Sequence, residues 1–180
     1  MDFFEFLLVL VGLVGAIAIS TLLVYLGHVI RCWDRVERPF LFLTFVAWLL
    51  INVIGHITGI WAYRNVELDV YFSAFVIIGP IIFFTLAVTI LIPQQKNDTT
   101  PIDLDVIYFD SSRAVFVFLT LHVLSALAAD FLPGVTDAPP VAFMLGMAII
   151  LLCGAFTKSK PIHGVLLFCL LLSQAAPRLT

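Results

Sequence analysis

The chain has 180 residues, of which 62% are hydrophobic and 12% charged, with a formal net charge of −3 and a mean hydropathy of +1.15. Soluble domains are about half apolar and about a quarter charged, so the composition indicates a membrane protein and leaves no room for a separate soluble domain.

Six apolar runs follow one another along the chain, with lengths close to the roughly 20 residues that cross the hydrocarbon core as a helix. We predict an all-α, polytopic transmembrane helix bundle that forms a single domain over residues 1–180. The unbroken runs favour helices over the short alternating strands of an outer-membrane barrel. The predicted spans are residues 4–30, 39–63, 70–92, 113–132, 140–156 and 161–176.

The N-terminus carries Asp2 and Glu5, where a signal peptide would carry basic residues, so we expect the first helix to be retained. Basic residues are unevenly divided between the loops, and Lys and Arg concentrate on the cytoplasmic side of membrane proteins. Loops one, three and five carry seven of them, Arg31, Arg35, Arg38, Lys96, Arg113, Lys158 and Lys160, against Arg64 and Arg178 in the other loops and the C-terminal tail. Both termini are therefore expected on the non-cytoplasmic side.

The second span contains the polar stretch LINVIGHITGIW, residues 50–61. Asn52, His56, Gly59 and Tyr63 follow at i, i+4, i+7 and i+11 and share one helical face. One interpretation is helix packing, in which Gly55 and Gly59 allow a close approach while Asn52 and His56 donate or accept hydrogen bonds between helices.

The third span carries Gly79 and Pro80 at its centre, and a proline there predicts a kink. The third loop, residues 93–112, begins as a polar connector and continues as residues 102–110, which we predict to form a short interfacial helix before the fourth span.

The fourth span presents Phe118, His122, Ser125 and Ala129 on one face, again at helical spacing. A second interpretation of the polar positions follows from this face. Asn52, His56, His122 and Ser125 would together line a narrow hydrophilic path for protons or a small solute, with Gly79 and Pro80 as its gate.

A third interpretation is ligation of haem b, because paired histidines on neighbouring membrane helices are a standard way of holding its iron. The candidate ligands are His28, His56, His122 and His163. Six-helix dihaem cytochromes provide the comparison, but here the third and fifth spans contain no histidine. No other cofactor is expected, and the spacing of the histidines predicts no metal site.

The sequence contains no Gly-x-Ser-x-Gly elbow, Walker loop or His-Glu-x-x-His motif, so no catalytic residue is proposed. The leading hypothesis is an interaction or accessory subunit of a membrane assembly. The alternatives are a small channel or transporter and a haem-binding electron-transfer subunit. The expected partners are the lipid bilayer and a second copy or another membrane protein, with no nucleic acid.

The part of the chain from Leu26 to Phe109 combines several helix-end features. They are Gly27 and Arg31 at the first helix end, Trp61-Ala62-Tyr63-Arg64 at the second, Gly79-Pro80 and Pro93 in and after the third, and Tyr108-Phe109 before the fourth. With these features the segment resembles a group of small bacterial inner-membrane proteins. The resemblance implies a multi-pass protein of a bacterial inner membrane and implies no activity.

Overall fold

The computed structural model describes residues 3–37, 39–64, 70–92, 101–132, 135 and 140–173, and within them the chain is almost entirely helical. Six helices follow one another, and each lies on one of the apolar runs of the sequence. A 3-10 turn, Ile60–Tyr63, extends the second helix. The helices are α1 Phe3–Arg31, α2 Phe40–Gly59, α3 Val70–Leu91, α4 Leu104–Asp130, α5 Val141–Phe156 and α6 Lys160–Ser173. The all-α prediction is confirmed.

Within the described part of the chain, three helical stretches are long and apolar enough to cross a membrane, namely Phe4–Arg31, Phe40–Tyr63 and Leu104–Asp130, while Val76–Leu91 of α3 is a shorter apolar stretch. The helices α5 and α6 have 16 and 14 residues, or about 24 and 21 Å at 1.5 Å per residue, against about 30 Å of hydrocarbon. The structure is therefore that of a membrane helix bundle with three clear candidate spans. That all six helices cross stays a prediction.

The start of α4 differs from the sequence prediction. Residues Ile102–Asp103 form a two-residue strand, β2, which pairs in parallel with β1, Val36–Glu37, from the first loop. Asp103 then caps α4, because its carboxylate accepts hydrogen bonds from the backbone N–H groups of Asp105 and Val106. The predicted interfacial helix is thus wrong as a separate element, since residues 104–110 are the first two turns of α4 itself.

The helices end at two sides of the bundle. We call the side where loops one, three and five connect them the odd-loop end, and the side where loops two and four connect them the even-loop end. At the odd-loop end, β1 of loop one pairs with β2 of loop three, and Lys160 after loop five forms a 2.8 Å ion pair with Asp105. At the opposite, even-loop end, Phe4 contacts Trp61, and the hydroxyl of Tyr63 donates to Asp130 across 2.7 Å. Successive helices therefore alternate in direction.

The helix α4 is central, packing extensively against α3 and α5, while α2 contacts α1, α3, α4 and α6. Buried aromatic rings fill the part of the core nearest the odd-loop end. Phe45 stacks on Trp48 and on Phe116 and meets Tyr108 edge to face. The indole N–H of Trp48 donates to the carbonyl of Leu170, which joins α2 to α6 inside the core.

Two glycines permit the closest helix contacts. A Cβ at Gly154 of α5 would lie 2.7 and 2.8 Å from two ring carbons of Phe116 on α4, and one at Gly15 of α1 would lie 2.7 Å from the Cδ1 of Ile57 on α2. Neither position is marked by the sequence, because their neighbours are recognisable only once the helices are packed.

Several predicted features lie outside the described residues. They are the polar connector 93–100, residues 174–176 of the sixth predicted span, and Arg38, Lys96 and Arg178 of the charge distribution.

Candidate functional site

The histidines of α2 and α4 meet inside the bundle. The rings of His56 and His122 lie 5.3 Å apart between centroids, in an edge-to-face arrangement. Phe84 of α3 packs against the other side of the His122 ring at 5.4 Å, and His122 is only 7% exposed. The two polar faces predicted for the second and fourth spans therefore do turn toward each other at these histidines.

His122 is held by the backbone of α3. Its Nδ1 lies 2.8 Å from the carbonyl oxygen of Pro80, and because a carbonyl can only accept, the proton of the neutral ring is on Nδ1. The helix α3 continues through Pro80, which lacks the N–H that would bond the carbonyl of Val76. The Gly79-Pro80 break is thus tied directly to His122, and Gly79 packs on Ser125, since a Cβ added at Gly79 would lie 3.8 Å from the serine Cβ.

The other two members of the predicted polar cluster bond to their own helices. The amide of Asn52 donates to the carbonyl of Trp48 across 3.4 Å, and the hydroxyl of Ser125 donates to the carbonyl of His122 across 3.0 Å. The structure therefore brings His56 and His122 together, and leaves Asn52 and Ser125 as neighbours whose donors are engaged within the same helix.

A cavity of about 450 Å³ lies above the histidines, at the even-loop end. We call it the even-loop cavity. Its walls come from α2 and the 3-10 turn after it, from α3, from α4 and from α5, and its innermost polar lining is His56 with Pro80. The lining residues are Gly55, His56, Thr58, Gly59, Ile60, Trp61, Ala62, Tyr63, Arg64, Ile77, Pro80, Ala126, Asp130 and Met144.

Opposite charges stand at the mouth of the even-loop cavity. Asp130, at the end of α4, is half-buried and accepts a 2.7 Å hydrogen bond from the hydroxyl of Tyr63. Arg64, which follows the 3-10 turn, is exposed. Within the described residues, no ion pair joins Arg64 to Asp130 or to any other carboxylate. In the sequence, Tyr63 and Arg64 have the character of interface anchors and Asp130 is only a charge at a helix end, so sequence reasoning missed this group.

The even-loop cavity ends at His56 and Pro80, both of which contact His122. Toward the odd-loop end, the space below His122 is filled by the fully buried rings of Phe45, Phe84 and Phe116. Thr120 is also buried on this side of His122 along α4, and its hydroxyl donates to the carbonyl of Phe116. In this conformation a solute could enter from one end of the bundle and could not pass through.

The other two histidines lie elsewhere. His163 is fully buried at the odd-loop end, where its Nε2–H donates to the carbonyl of Thr157 and its Nδ1 accepts from the hydroxyl of Tyr108. Both of its ring nitrogens are therefore occupied. The Nε2 of His28 lies 3.9 Å from the sulfur of Cys32 on the next turn of α1.

These positions do not fit a haem held between paired histidines. An iron atom ligated by both His56 and His122 would stand about 2 Å from each coordinating nitrogen, with the macrocycle separating the rings. The two rings instead contact each other directly at 5.3 Å, and the ring nitrogens of His163 are already bonded. Among the described residues, no group of three or more His, Cys, Asp or Glu side chains lies close enough to hold a metal ion.

The glycines of the LINVIGHITGIW stretch do not form a seam inside the chain. Among the described residues, no atom lies within 4 Å of a Cβ added at Gly55 or Gly59, and both glycines are exposed at the edge of the even-loop cavity. A small-xxx-small contact of Gly55 and Gly59 with a helix of another chain stays a prediction. The sequence pattern places Gly55 and Gly59 correctly on α2 but does not show which part of the protein covers them.

The fold and the site define the class of the protein as a membrane helix bundle with a partly polar cavity near its even-loop end. No protein-family model, curated protein or solved structure matches the chain.

Proposed function

We propose that the protein is a small multi-pass transporter or channel of a bacterial inner membrane, with six spans and both termini on the non-cytoplasmic side. The observation that carries this proposal is the even-loop cavity, which extends from the mouth at Arg64 and Asp130 down to His56 and Pro80. Ligand pockets of a few hundred cubic ångströms with a few convergent polar groups are the usual form of a small-molecule site.

The depth of the cavity supports solute entry rather than a shallow surface feature. His56 precedes Tyr63 by seven residues, which is about 10 Å along the helix axis. Polar groups this far inside a bundle are costly unless they serve structure or function. The ring of His122, bonded to Pro80, connects the inner end of the cavity to α3, in which Pro80 removes a backbone hydrogen-bond donor.

Passage through the bundle requires the closed side to open. The obstruction consists of Phe45, Phe84 and Phe116, and the structural candidate for the moving part is α3 at Gly79-Pro80. In such a transporter, a shift of α3 against α4 would break the hydrogen bond between the ring of His122 and the Pro80 carbonyl. Apolar segments interrupted by glycine or proline accompany the substrate sites of many transporters.

The test is cysteine accessibility on both sides, which needs no knowledge of the solute. Thr58→Cys in the cavity wall and Thr120→Cys below the histidines are made in a background where Cys32, Cys153 and Cys169 are serine. A membrane-impermeant maleimide should label Thr58→Cys in intact cells and Thr120→Cys only in inside-out vesicles.

The control is Ile54→Cys, since Ile54 lies on α2, is 55% exposed and does not line the cavity, so a lipid-facing thiol there should remain unlabelled. Absence of labelling at Thr58→Cys from either side would show that the cavity is closed to water. Absence at Thr120→Cys alone would contradict passage and would favour a static binding or accessory role.

The second candidate function is an accessory subunit that joins another membrane protein or a second copy. The exposed glycines Gly55 and Gly59 favour it, because helices approach closely at small residues in lipid and none of the described residues covers these two. Gly55→Leu should then change the assembly observed on native gels, whereas Gly12→Leu on α1, also in open space, should not. An unchanged assembly in both variants would count against this role.

A further inference from the structure

We infer that the even-loop cavity binds a zwitterion, a small molecule or headgroup that carries one anionic group and one ammonium group. The inference rests on the proposed function, since it assigns a ligand class to that same cavity. It comes from the two opposite charges at the cavity mouth and from the way in which each is held.

The carboxylate of Asp130 is oriented but not neutralised. One of its oxygens accepts the hydroxyl of Tyr63 at 2.7 Å, which fixes the carboxylate at the cavity wall and leaves its second oxygen as an acceptor. A carboxylate held in this way can accept hydrogen bonds from an ammonium group. Charge-assisted bonds of this kind are roughly twice as strong as neutral ones.

The guanidinium of Arg64 supplies the complementary charge. Arg64 and Asp130 line the same cavity, yet no ion pair within the described residues joins them, and Arg64 has no carboxylate partner there. An arginine binds a planar carboxylate or a phosphate through two parallel hydrogen bonds. A ligand with an anionic and a cationic group would pair with both Arg64 and Asp130, whereas an ion of either sign would leave one of these two residues unpaired.

The rest of the lining limits the size and character of the ligand. Below the charged mouth the wall is largely apolar, with Ile60, Ile77 and Met144, and Trp61 stands at the rim. A ligand of about the size of an amino acid with an aliphatic side chain would place its charges at the mouth and its apolar part on this wall. A zwitterionic lipid headgroup entering from the leaflet offers the same charge pair.

Protection of Thr58→Cys from the maleimide measures occupancy of the cavity in the full chain. In phosphatidylglycerol vesicles the probes are L-leucine, leucinamide, which lacks the anionic group, and 4-methylpentanoate, which lacks the ammonium group. We expect leucine to slow labelling, and each single-charge analogue to need a concentration at least about tenfold higher, the cost of one unmade charged hydrogen bond.

Charge-removing variants test whether Arg64 binds the anionic group of the ligand and Asp130 its ammonium group. Arg64→Gln and Asp130→Asn should each raise the half-protecting leucine concentration about tenfold or more, and Arg64→Lys should restore part of the effect. Arg31→Gln and Asp110→Asn remove exposed charges at the odd-loop end and should change nothing.

The lipid arm separates the two sources of the zwitterion. If phosphatidylethanolamine vesicles slow the labelling of Thr58→Cys and leucine in phosphatidylglycerol does not, the occupant is a lipid headgroup with the inferred chemistry. Equal protection by the single-charge analogues, or labelling that neither leucine nor phosphatidylethanolamine slows, would overturn the inference while leaving the water-filled cavity intact. Failure of the maleimide to label Thr58→Cys at all would instead overturn the proposed function.

Discussion

The replacement of Gly154 by alanine tests the packing of α5 on α4. The added Cβ would lie 2.7, 2.8 and 3.2 Å from three ring carbons of Phe116, whereas carbon atoms in good contact are about 3.5 to 4.0 Å apart. The ring or the helix must therefore move by roughly 1 Å.

Phe116 has little freedom to move. Its ring is fully buried, stacks on Phe45 with centroids 5.2 Å apart, and has the edges of Tyr108 and His163 against it. Overpacking of such a site costs about 1 to 3 kcal/mol. We expect Gly154→Ala to lower the free energy of unfolding by that amount, measured by denaturant titration in mild detergent with tryptophan fluorescence.

The matched control is Gly55→Ala, because nothing lies within 4 Å of its Cβ position and alanine is the better helix former by about 1 kcal/mol. This variant should be neutral or slightly more stable. A second check is Gly154→Ala combined with Phe116→Leu, in which the smaller side chain should recover part of the loss by a non-additive amount. Equal stability of Gly154→Ala and the unmodified protein would refute the close approach of the two helices.

Two further predictions concern the histidines. Tyr108→Phe removes the hydroxyl that donates to the Nδ1 of buried His163 and leaves this nitrogen without a partner. We expect the free energy of unfolding, measured by the same denaturant titration, to fall by about 1 to 3 kcal/mol. An unchanged midpoint would show that the Nδ1 of His163 finds another hydrogen-bond donor. Protein purified from cells supplied with haem should give no Soret band and no α band after dithionite reduction, since His56 and His122 leave no space for a macrocycle; a reduced spectrum with sharp α and β bands would contradict that geometry.

The sequence predicted the helices well because each apolar run is long and bounded by polar or proline-containing segments. It also placed His56 and His122 on faces that turn toward each other, since helical periodicity shows which residues share a face. It failed where partners depend on how the faces meet. The link from Tyr63 to Asp130 joins helix ends 67 residues apart, and no local pattern marks it.

The glycines show the same limit in another form. In lipid, nearly every face of these helices is apolar, so hydropathy does not distinguish a packed glycine from an outward one. Gly154 fits no packing motif and is tightly enclosed, while Gly55 and Gly59 fit one and are open. The start of α4 was missed for a different reason, because the acidic residues around Asp103 are typical of a loop although one of them is the helix cap.

The short pairing of β1 with β2 joins the first loop to the start of α4. Asp103 is at once a residue of β2, paired with Glu37, and the cap of α4. A helix transmits a push along its axis as a nearly rigid rod, and His122 lies 19 residues further along this one, or about 28 Å. One helix therefore runs without a break from the strand pairing of the first loop to the histidine that contacts His56 and Pro80 of the even-loop cavity.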